Sequence, residues 1–257
     1  MRVISLSCDG IFQAAARGLF EWLNGQDAEV ICLQDLRARI PEMEDRPEFQ
    51  LDGFTAYYLD SSDPHQDGVA IYTRTTPKAI IYGFGMATGE DTNGRYLQAD
   101  FESVSVVSLL APQGPEPEQQ EAKNRFYPAL QAHMDKITRK RRRYIYCGGW
   151  GMAGTEADVE NAATHRGEPG FCPEDEQWWR QIQDQVGYAD AFRLGNTDDD
   201  EFSWWPSGTP GKGDGWRTDT QLVSRELAHT VEYAVIYKAK TFSSHAPTVI
   251  DYDLLNL

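Results

Sequence analysis

The stretch Phe242-Ser243-Ser244-His245-Ala246-Pro247 (FSSHAP) decides the fold when it is combined with Gly148-Gly149-Trp150-Gly151 (GGWG) and Gly215-Trp216-Arg217-Thr218-Asp219 (GWRTD). GGWG follows the apolar run Tyr144–Cys147, and GWRTD leads into the run Thr218–Val223. Short runs rich in β-branched and aromatic residues predict strands. Glycine, aromatic and polar residues are therefore gathered at strand ends, in loops of the kind that carry functional side chains.

Elsewhere the chain alternates strand-like runs with helical patterns. Residues 3–6 and 30–33 are predicted strands on either side of a helical pattern at 11–23, which gives the opening a βαβ arrangement. Further helices are predicted at 118–137 and 178–186, and further strands at 54–59, 68–73, 79–85, 95–101, 104–110, 202–205 and 231–236. This order favours two sheets packed face to face and flanked by helices, in one domain over residues 1–257.

The composition predicts a sizeable core and an acidic surface. Of the 257 residues, 40% are hydrophobic and 12% aromatic, whereas 24 Lys and Arg stand against 40 Asp and Glu, a net charge of −16. Affinity for nucleic acid comes mainly from basic side chains that neutralise phosphates. High-affinity binding of nucleic acid by the protein alone is therefore not expected.

Cysteine spacing and the amino-terminal sequence indicate the cellular compartment of the protein. Cys8, Cys32, Cys147 and Cys172 are scattered singly, without the paired spacing of a structural zinc site. The chain opens directly into a strand-like run instead of a signal peptide, and it has no apolar stretch long enough for a membrane span. We expect a reduced, cytoplasmic protein without a membrane partner.

The chain resembles the exonuclease III family of the endonuclease/exonuclease/phosphatase superfamily nearly from end to end. Each motif alone is weak, but their order and spacing together carry the resemblance. Besides FSSHAP, GGWG and GWRTD, the matching stretches are SLSCDG at 5–10, ICLQD at 31–35, GVAIY at 68–72, GRYL at 94–97 and SWW at 203–205. The resemblance implies an α/β (α+β) fold, a four-layer αββα sandwich of the DNase I-like type.

Several positions that the family uses for chemistry carry residues that cannot supply it. FSSHAP and GGWG correspond to F-S-D-H-A-P and G-D-W-N in the family, whose side chains bind metal, orient the attacking water and hold the scissile phosphate. The positions that have lost such a group are Ser7, Leu110, Gly149, Gly151, Gly213 and Ser244. Because general-base assistance alone contributes about 10²–10⁴ in rate, we expect no competent catalytic site.

Three family positions keep their functional group. Asp35 stands where the family has Glu, and because it is one methylene shorter we expect no metal, or weak metal binding, at Asp35 and Asp9. His245 and Asp219 match the family's histidine and the carboxylate that orients it. Such a pair either stabilises charge during phosphoryl transfer or is a satisfied polar contact of the core, and we favour the second interpretation.

Within the family, the chain resembles the catabolite repression control (Crc) branch. The shared departures are Asp35 after Leu-Gln, Gly149 after Tyr-Ile-Tyr-Cys-Gly, and Ser244 before His-Ala-Pro. That resemblance implies a translational co-repressor without a cofactor, which acts with the RNA chaperone Hfq on A-rich RNA in a ternary complex and binds RNA weakly or not at all alone. The alternative is a Mg²⁺-dependent repair nuclease of the exonuclease III or AP endonuclease type with a rearranged site.

Local clusters of cations are the candidate contacts with RNA or a partner. Five basic residues follow the helix predicted at 118–137, and they either contact a partner or simply form a solvated helix terminus, where the helix dipole favours cations. The candidate contact residues are Arg139, Lys140, Arg141, Arg142, Arg143, Arg95 and Arg217.

Overall fold

The computed structural model describes residues 1–140 and 142–254, in which two mixed six-stranded sheets are present. The first sheet has the spatial order β11 (Val231–Ile236), β12 (Thr248–Tyr252), β1 (Arg2–Ser7), β2 (Val30–Gln34), β4 (Val69–Thr73) and β3 (Thr55–Leu59). The second has the order β5 (Ala79–Tyr82), β6 (Tyr96–Asp100), β7 (Val104–Leu110), β8 (Arg143–Gly149), β10 (Asp219–Ser224) and β9 (Tyr188–Asp190). The pairs β1–β2 and β7–β8 are parallel, and the other neighbours are antiparallel.

Alternation of side chains along the strands produces the layers. In β1, Val3 faces the core between the two sheets, whereas Ile4 and Leu6 face the helices outside the first sheet. In β8, Ile145 points into the same inner core and Tyr146 points outward under the helices of the second sheet. Since successive residues of a strand point to opposite faces, each sheet buries both faces, and the predicted four-layer αββα sandwich is confirmed.

The longer helices cover the outer faces of the two sheets, whereas α7 (Ala191–Gly195) packs into the core between the sheets. The other helices are α1 (Ile11–Ala16), α2 (Leu19–Asn24), α3 (Ile40–Met43), α4 (Pro117–Thr138), α5 (Ala162–His165) and α6 (Pro173–Gln181). A π-helical turn, Ile182–Val186, extends α6, and 3₁₀ turns lie at Pro47–Phe49, Glu90–Thr92, Glu156–Asp158 and Arg225–Thr230. In the described ranges, no helix is both long and apolar enough to cross a membrane.

The structure corrects two predicted elements and adds two strands that were not predicted. The helix predicted at 11–23 is two short helices, because Gly18 adopts a left-handed conformation (φ 84°) that ends one and starts the next. The strand predicted at 202–205 is absent; Trp204 forms only isolated bridges, to Trp216 and His245. Strands β9 and β12 were not predicted, the first because it has three residues and the second because it directly follows FSSHAP.

Buried amide side chains connect the two sheets beneath the strand ends. Gln34, the last residue of β2, donates from Nε2 to the Oγ of Ser108 on β7 at 2.9 Å. Gln221 on β10 donates to the carbonyl oxygen of Val3 on β1 at 3.1 Å. A buried polar group is costly unless it is hydrogen-bonded, so these bonds fix the register of one sheet against the other. The position of Asp35, next to Gln34, is fixed with them.

A buried ion triad holds the segment that enters β10. Arg217 has a side chain only 2% exposed, and it donates to Asp158 at 2.8 Å and to Asp190 at 2.7 Å. Burial opposes the ionised form of Asp158, but the charges and hydrogen bonds of Arg217 and Arg193 lower the pKa of that carboxyl nevertheless. Arg217 is therefore a structural cation and is not available at the surface, which corrects its assignment as a candidate partner contact.

Removing this cation should destabilise the protein strongly. In Arg217→Met, Asp190 loses the cation that pairs with it and Asp158 keeps only Arg193, and breaking a buried ion pair in this way costs about 3–5 kcal/mol. The free energy of unfolding, measured by urea denaturation, should fall by that amount. Arg180→Ala, which removes an exposed arginine of α6, is the control and should change it by less than about 0.5 kcal/mol. Equal effects of the two variants would contradict the structural role.

Candidate functional site

The predicted site residues meet in a cleft at one end of the sandwich. Ser7 and Gln34 end the parallel strands β1 and β2, whereas Gly149 ends β8 and lies opposite Asp219, the first residue of β10. The loops that follow these strand ends enclose a cleft of about 430 Å³, whose wall includes Asp9, Asp35, Arg37, Gly151, Trp216 and His245. The sequence thus brings most of its candidate residues to one place.

Arg37 closes over the carboxylate of Asp35. Its Nε lies 3.0 Å from one carboxylate oxygen and its Nη2 lies 2.6 Å from the other, so that the pair is bidentate. The same Nη2 lies 3.6 Å from Oδ1 of Asp9. Burial lowers the pKa of Arg37, but its hydrogen bond to Asp35 and the nearby carboxylates outweigh burial and raise it. Both carboxylate oxygens of Asp35, which matches the family's metal ligand, are therefore bound by Arg37.

Asp9 is held from the other side by Ser244. One of its carboxylate oxygens accepts hydrogen bonds from the backbone N–H and the hydroxyl of Ser244, at 2.7 and 2.5 Å. Burial raises the pKa of Asp9, but the charge of His245, the bonds from Ser244 and the charge of Arg37 lower it overall. Ser244, which stands where the family has Asp, thus acts as a donor to a neighbouring carboxylate.

The backbone around Arg37 departs from ordinary conformations. Asp9, Asp35, Arg37 and Asp67 all have positive φ angles, of 52°, 54°, 49° and 57°. A non-glycine residue in this region costs on the order of 1–3 kcal/mol and persists only where its surroundings hold it. Two backbone bonds support the loop, from the N–H of Arg37 to the carbonyl of Asp67 at 2.8 Å and from Leu36 to Gly68 at 3.2 Å.

His245 and Asp219 form a buried pair behind the cleft. The Nδ1 of His245 lies 2.7 Å from Oδ2 of Asp219, and Ser203 donates to the same oxygen at 2.8 Å. Burial lowers the pKa of His245, but the charge of Asp219 and the hydrogen bond to it, with smaller effects of Asp9 and Asp35, raise it overall. The arrangement stabilises an imidazolium ion at the wall of the cleft.

The positions that lack the family's functional groups lie in different surroundings. Gly149 has no side chain, and a β-carbon placed on it would lie 2.8 Å from Oγ of Ser7 and 3.5 Å from Oδ1 of Asp219. Leu110 is a buried core residue, so it supplies no hydroxyl. Gly151 has φ +59°, and a β-carbon there would lie 2.7 Å from Cβ of Gln113. A larger residue at either glycine requires its neighbours to move.

Two polar atoms around Gly149 have no hydrogen-bond partner among the described residues. They are Oγ of Ser7 and Oδ1 of Asp219, and both are buried. Both lie near the position that a side chain at residue 149 would occupy. The lack of a side chain at Gly149 therefore leaves a polar recess between the ends of β1 and β10.

The donors of this site do not fit a divalent metal of the kind that the family uses. Mg²⁺ requires near-octahedral coordination by oxygen atoms, usually including one or two carboxylates. Both oxygens of Asp35 face Arg37, one oxygen of Asp9 faces Ser244, and Ser244 and Ser7 offer only hydroxyl groups. Within 1–140 and 142–254, no three His, Cys, Asp or Glu residues are grouped so that they could hold a metal ion.

The basic run predicted as a contact surface divides into two parts. Arg139 is exposed and pairs with Asp135 on α4, and Lys140 is also exposed. Arg142 donates to the carbonyl of Phe101 at 2.7 Å and Arg143 to that of Ser103 at 3.1 Å, so both contact the β6–β7 turn. Arg141 lies outside the described residues. In the described part of this run, only Arg139 and Lys140 do not contact the β6–β7 turn.

Two further candidates lie elsewhere. Arg95 donates to Asp67 at 2.9 Å and its side chain is 12% exposed, close behind the loop that carries Arg37. Gly213 has φ +75° in an exposed loop and does not line the cleft, although the family places an amide near this position. Sequence reasoning missed Arg37 altogether. Its signal was a cation two residues after Asp35 in ICLQDLR, at the end of a buried strand.

Comparison of this chain with known proteins identifies the family to which it belongs. The model of the endonuclease/exonuclease/phosphatase family matches residues 8–245, and this chain belongs to that family. It is 26% identical over 253 residues to an exodeoxyribonuclease of Bacillus subtilis, covering 96% of this chain and 97% of that protein. It is 30% identical over 200 residues to exodeoxyribonuclease III of Haemophilus influenzae, covering 70% of this chain and 74% of that protein.

Solved structures of similar proteins share the architecture. An AP endonuclease from Archaeoglobus fulgidus matches with a TM-score of 0.86 at 19% identity, covering 99% of this chain and 100% of that one. The catalytic domain of Xenopus laevis APE2 matches with a TM-score of 0.82 at 25% identity, covering 98% and 91%. These likenesses establish the DNase I-like fold.

The raised pKa of His245 predicts how stability depends on pH. Because the folded state holds this proton more tightly than the unfolded state, the stabilisation is fully present below the ordinary histidine pKa of about 6.5. It is lost as pH rises through the raised pKa. The difference in unfolding free energy between wild type and His245→Gln should therefore be larger at pH 6 than at pH 9.

The exposed His229 provides the control. His229→Gln should show little difference between the two pH values. The titration of His245 can also be followed directly by NMR of its imidazole ring. A midpoint at or below about 6.5 would contradict the stabilised imidazolium.

Proposed function

We propose that this protein is a member of the endonuclease/exonuclease/phosphatase family that does not hydrolyse phosphodiesters and acts by binding. The observation that carries the proposal is the composition of the cleft. Gly149 and Gly151 present no side chain, whereas Asp35, which would be needed for a metal, is paired with Arg37. Together these features remove the attacking-water, phosphate and metal contacts while the surrounding fold is retained.

The specific role that we propose is translational co-repression with Hfq and a target RNA. Its support is the resemblance of the sequence to the catabolite repression control branch, at Asp35, Gly149 and Ser244. The net charge of −16 is consistent with it, since such a surface repels RNA unless a basic partner holds the RNA. The chain would then contribute contacts to an assembly, without a cofactor.

A second candidate is a Mg²⁺-dependent nuclease with a rearranged site. It is favoured by the buried His245–Asp219 pair and by Asp9 and Asp35 at the cleft, together with relatives that are named as exodeoxyribonucleases and AP endonucleases. On this proposal the imidazolium would stabilise charge on a phosphate. It requires Arg37 to release Asp35 when metal and substrate bind.

Cleavage assays separate the two proposals. With Mg²⁺ or Mn²⁺, the purified protein should not cleave duplex DNA that contains an abasic site or a recessed 3′ end, because Gly149 and Gly151 cannot orient water or hold the phosphate. The control is the Asp35→Ala, His245→Ala double variant, purified in the same way. Cleavage that scales with wild-type protein and disappears in the double variant would establish the nuclease and overturn the proposal of a binding protein.

The co-repressor role is tested by RNA gel shifts with and without Hfq. The protein alone should not shift an A-rich RNA, whereas it should add a further shift to the Hfq–RNA complex. In the Arg139→Ala, Lys140→Ala variant that further shift should weaken, and its salt dependence should flatten by roughly 0.7 log units per lost phosphate contact.

The matched control removes two exposed cations elsewhere, with Arg46→Ala and Lys78→Ala. It makes the same change in net charge and should leave the ternary complex unaltered. Tight binding of RNA by the protein alone, or no binding to the Hfq–RNA complex, would contradict the co-repressor role. If both double variants weaken the complex equally, the contact is not localised at the end of α4.

A further inference from the structure

We infer that Arg37 is a built-in cation that takes the place of a divalent metal between Asp35 and Asp9, and that its removal creates a metal site. This inference deepens the proposed function, because it explains how the cleft of a non-hydrolytic family member is kept free of metal. The inference concerns metal binding alone, whereas the proposed function concerns cleavage. Either one can therefore be contradicted by its own experiment without contradicting the other.

The first argument is the geometry of the carboxylate. Arginine presents two parallel N–H donors that match the two oxygens of a carboxylate. Arg37 uses this geometry on Asp35, at 3.0 and 2.6 Å, and leaves neither oxygen unpaired. A metal ion that approached Asp35 would have to displace both bonds. A lysine or a neutral residue at this position would not engage both oxygens in this way.

The second argument is charge. Arg37 faces three carboxylates that raise its pKa, those of Asp35, Asp9 and Asp67, and Nη2 is 3.6 Å from Asp9. Asp67 is in turn paired with Arg95 at 2.9 Å. Asp35 is therefore paired directly with Arg37, whereas Asp9 lies close to Arg37 and is also influenced by the charge of His245. Without that guanidinium, two negative charges would line one wall of the cleft and attract a hard cation.

The third argument is that the backbone holds the guanidinium in place. Asp35 and Arg37 both have left-handed conformations, and the backbone N–H of Arg37 donates to the carbonyl of Asp67 at 2.8 Å. With the backbone fixed on both sides of Leu36, which is fully buried, the side chains of residues 35 and 37 converge on one point of the cleft. The ion pair is thus part of the loop's structure.

The test measures binding of Mn²⁺ alone, by calorimetry and by the electron paramagnetic resonance of free Mn²⁺. Arg37→Met removes the charge and keeps an unbranched side chain. It should bind one Mn²⁺ at least tenfold more tightly than wild type, and adding Asp35→Asn should abolish the gain. Arg39→Ala, an exposed cation of the same loop, is the control for net charge and should leave Mn²⁺ affinity unchanged.

Two results would overturn the inference. One is equal Mn²⁺ affinity in wild type and Arg37→Met, and the other is an equal gain in Arg39→Ala. Circular dichroism and thermal unfolding establish that each variant is folded, and Mn²⁺ should raise the unfolding temperature of Arg37→Met but not that of wild type.

A measurement on the wild-type protein keeps the inference testable if Arg37→Met does not fold. The Nε–H signal of Arg37, observed by NMR, should be protected from exchange by its bond to Asp35. Mn²⁺ at concentrations up to a few millimolar should not broaden it beyond the signal of the exposed Arg39. Selective broadening of the Arg37 signal would place the metal beside the guanidinium and overturn the inference.

Discussion

The burial of Arg217 between Asp158 and Asp190 is the constraint on which the site end of this fold depends. Three charges are taken out of water, and each is tolerable only because the others are in hydrogen-bond contact. The triad ties the turn at residues 156–158, the end of β9 and the entry to β10. Asp219, two residues after Arg217, is thereby placed against His245. The triad is thus structural, whatever the cleft binds.

The pair of His245 and Asp219 at this end of the fold also contributes to stability. Asp219 and His245 are hydrogen-bonded in the interior, and removing Asp219 would leave Nδ1 of the buried His245 without this partner. A contribution to stability is therefore one reason for the pair to be present. Gly149 and Gly151 have no side chain that could stabilise the core in this way. At Gly149 the missing side chain leaves a recess that is lined by Ser7 and Asp219. On our proposal of a non-hydrolytic protein, the side chains absent at these two glycines are ones that would serve the reaction and not the core.

The sequence predicted the layers well, because short strand-like runs and helical patterns follow one another in a recognisable order and the loops carry recognisable motifs. It could not predict the break at Gly18, since one glycine within an apolar helical pattern is compatible with a continuous helix. It missed β12 because this strand directly follows FSSHAP, and the segment was interpreted as a loop motif only. It also missed Arg37, because the pairing of Arg37 with Asp35 depends on left-handed backbone conformations at both residues, and arginine has no local preference for that conformation.

The positions of the cations change what the net charge implies. A count of Lys and Arg treats the run at 139–143, Arg95 and Arg217 as available to phosphate. In the structure, Arg142 and Arg143 bind carbonyl groups of the β6–β7 turn, Arg95 is paired with Asp67, and Arg217 is buried. These cations are therefore less free to contact phosphate directly, since their N–H groups are already hydrogen-bonded within the protein. On the co-repressor proposal, a second protein would supply the positive field that attracts RNA, and the exposed end of α4 would add a local contribution to it.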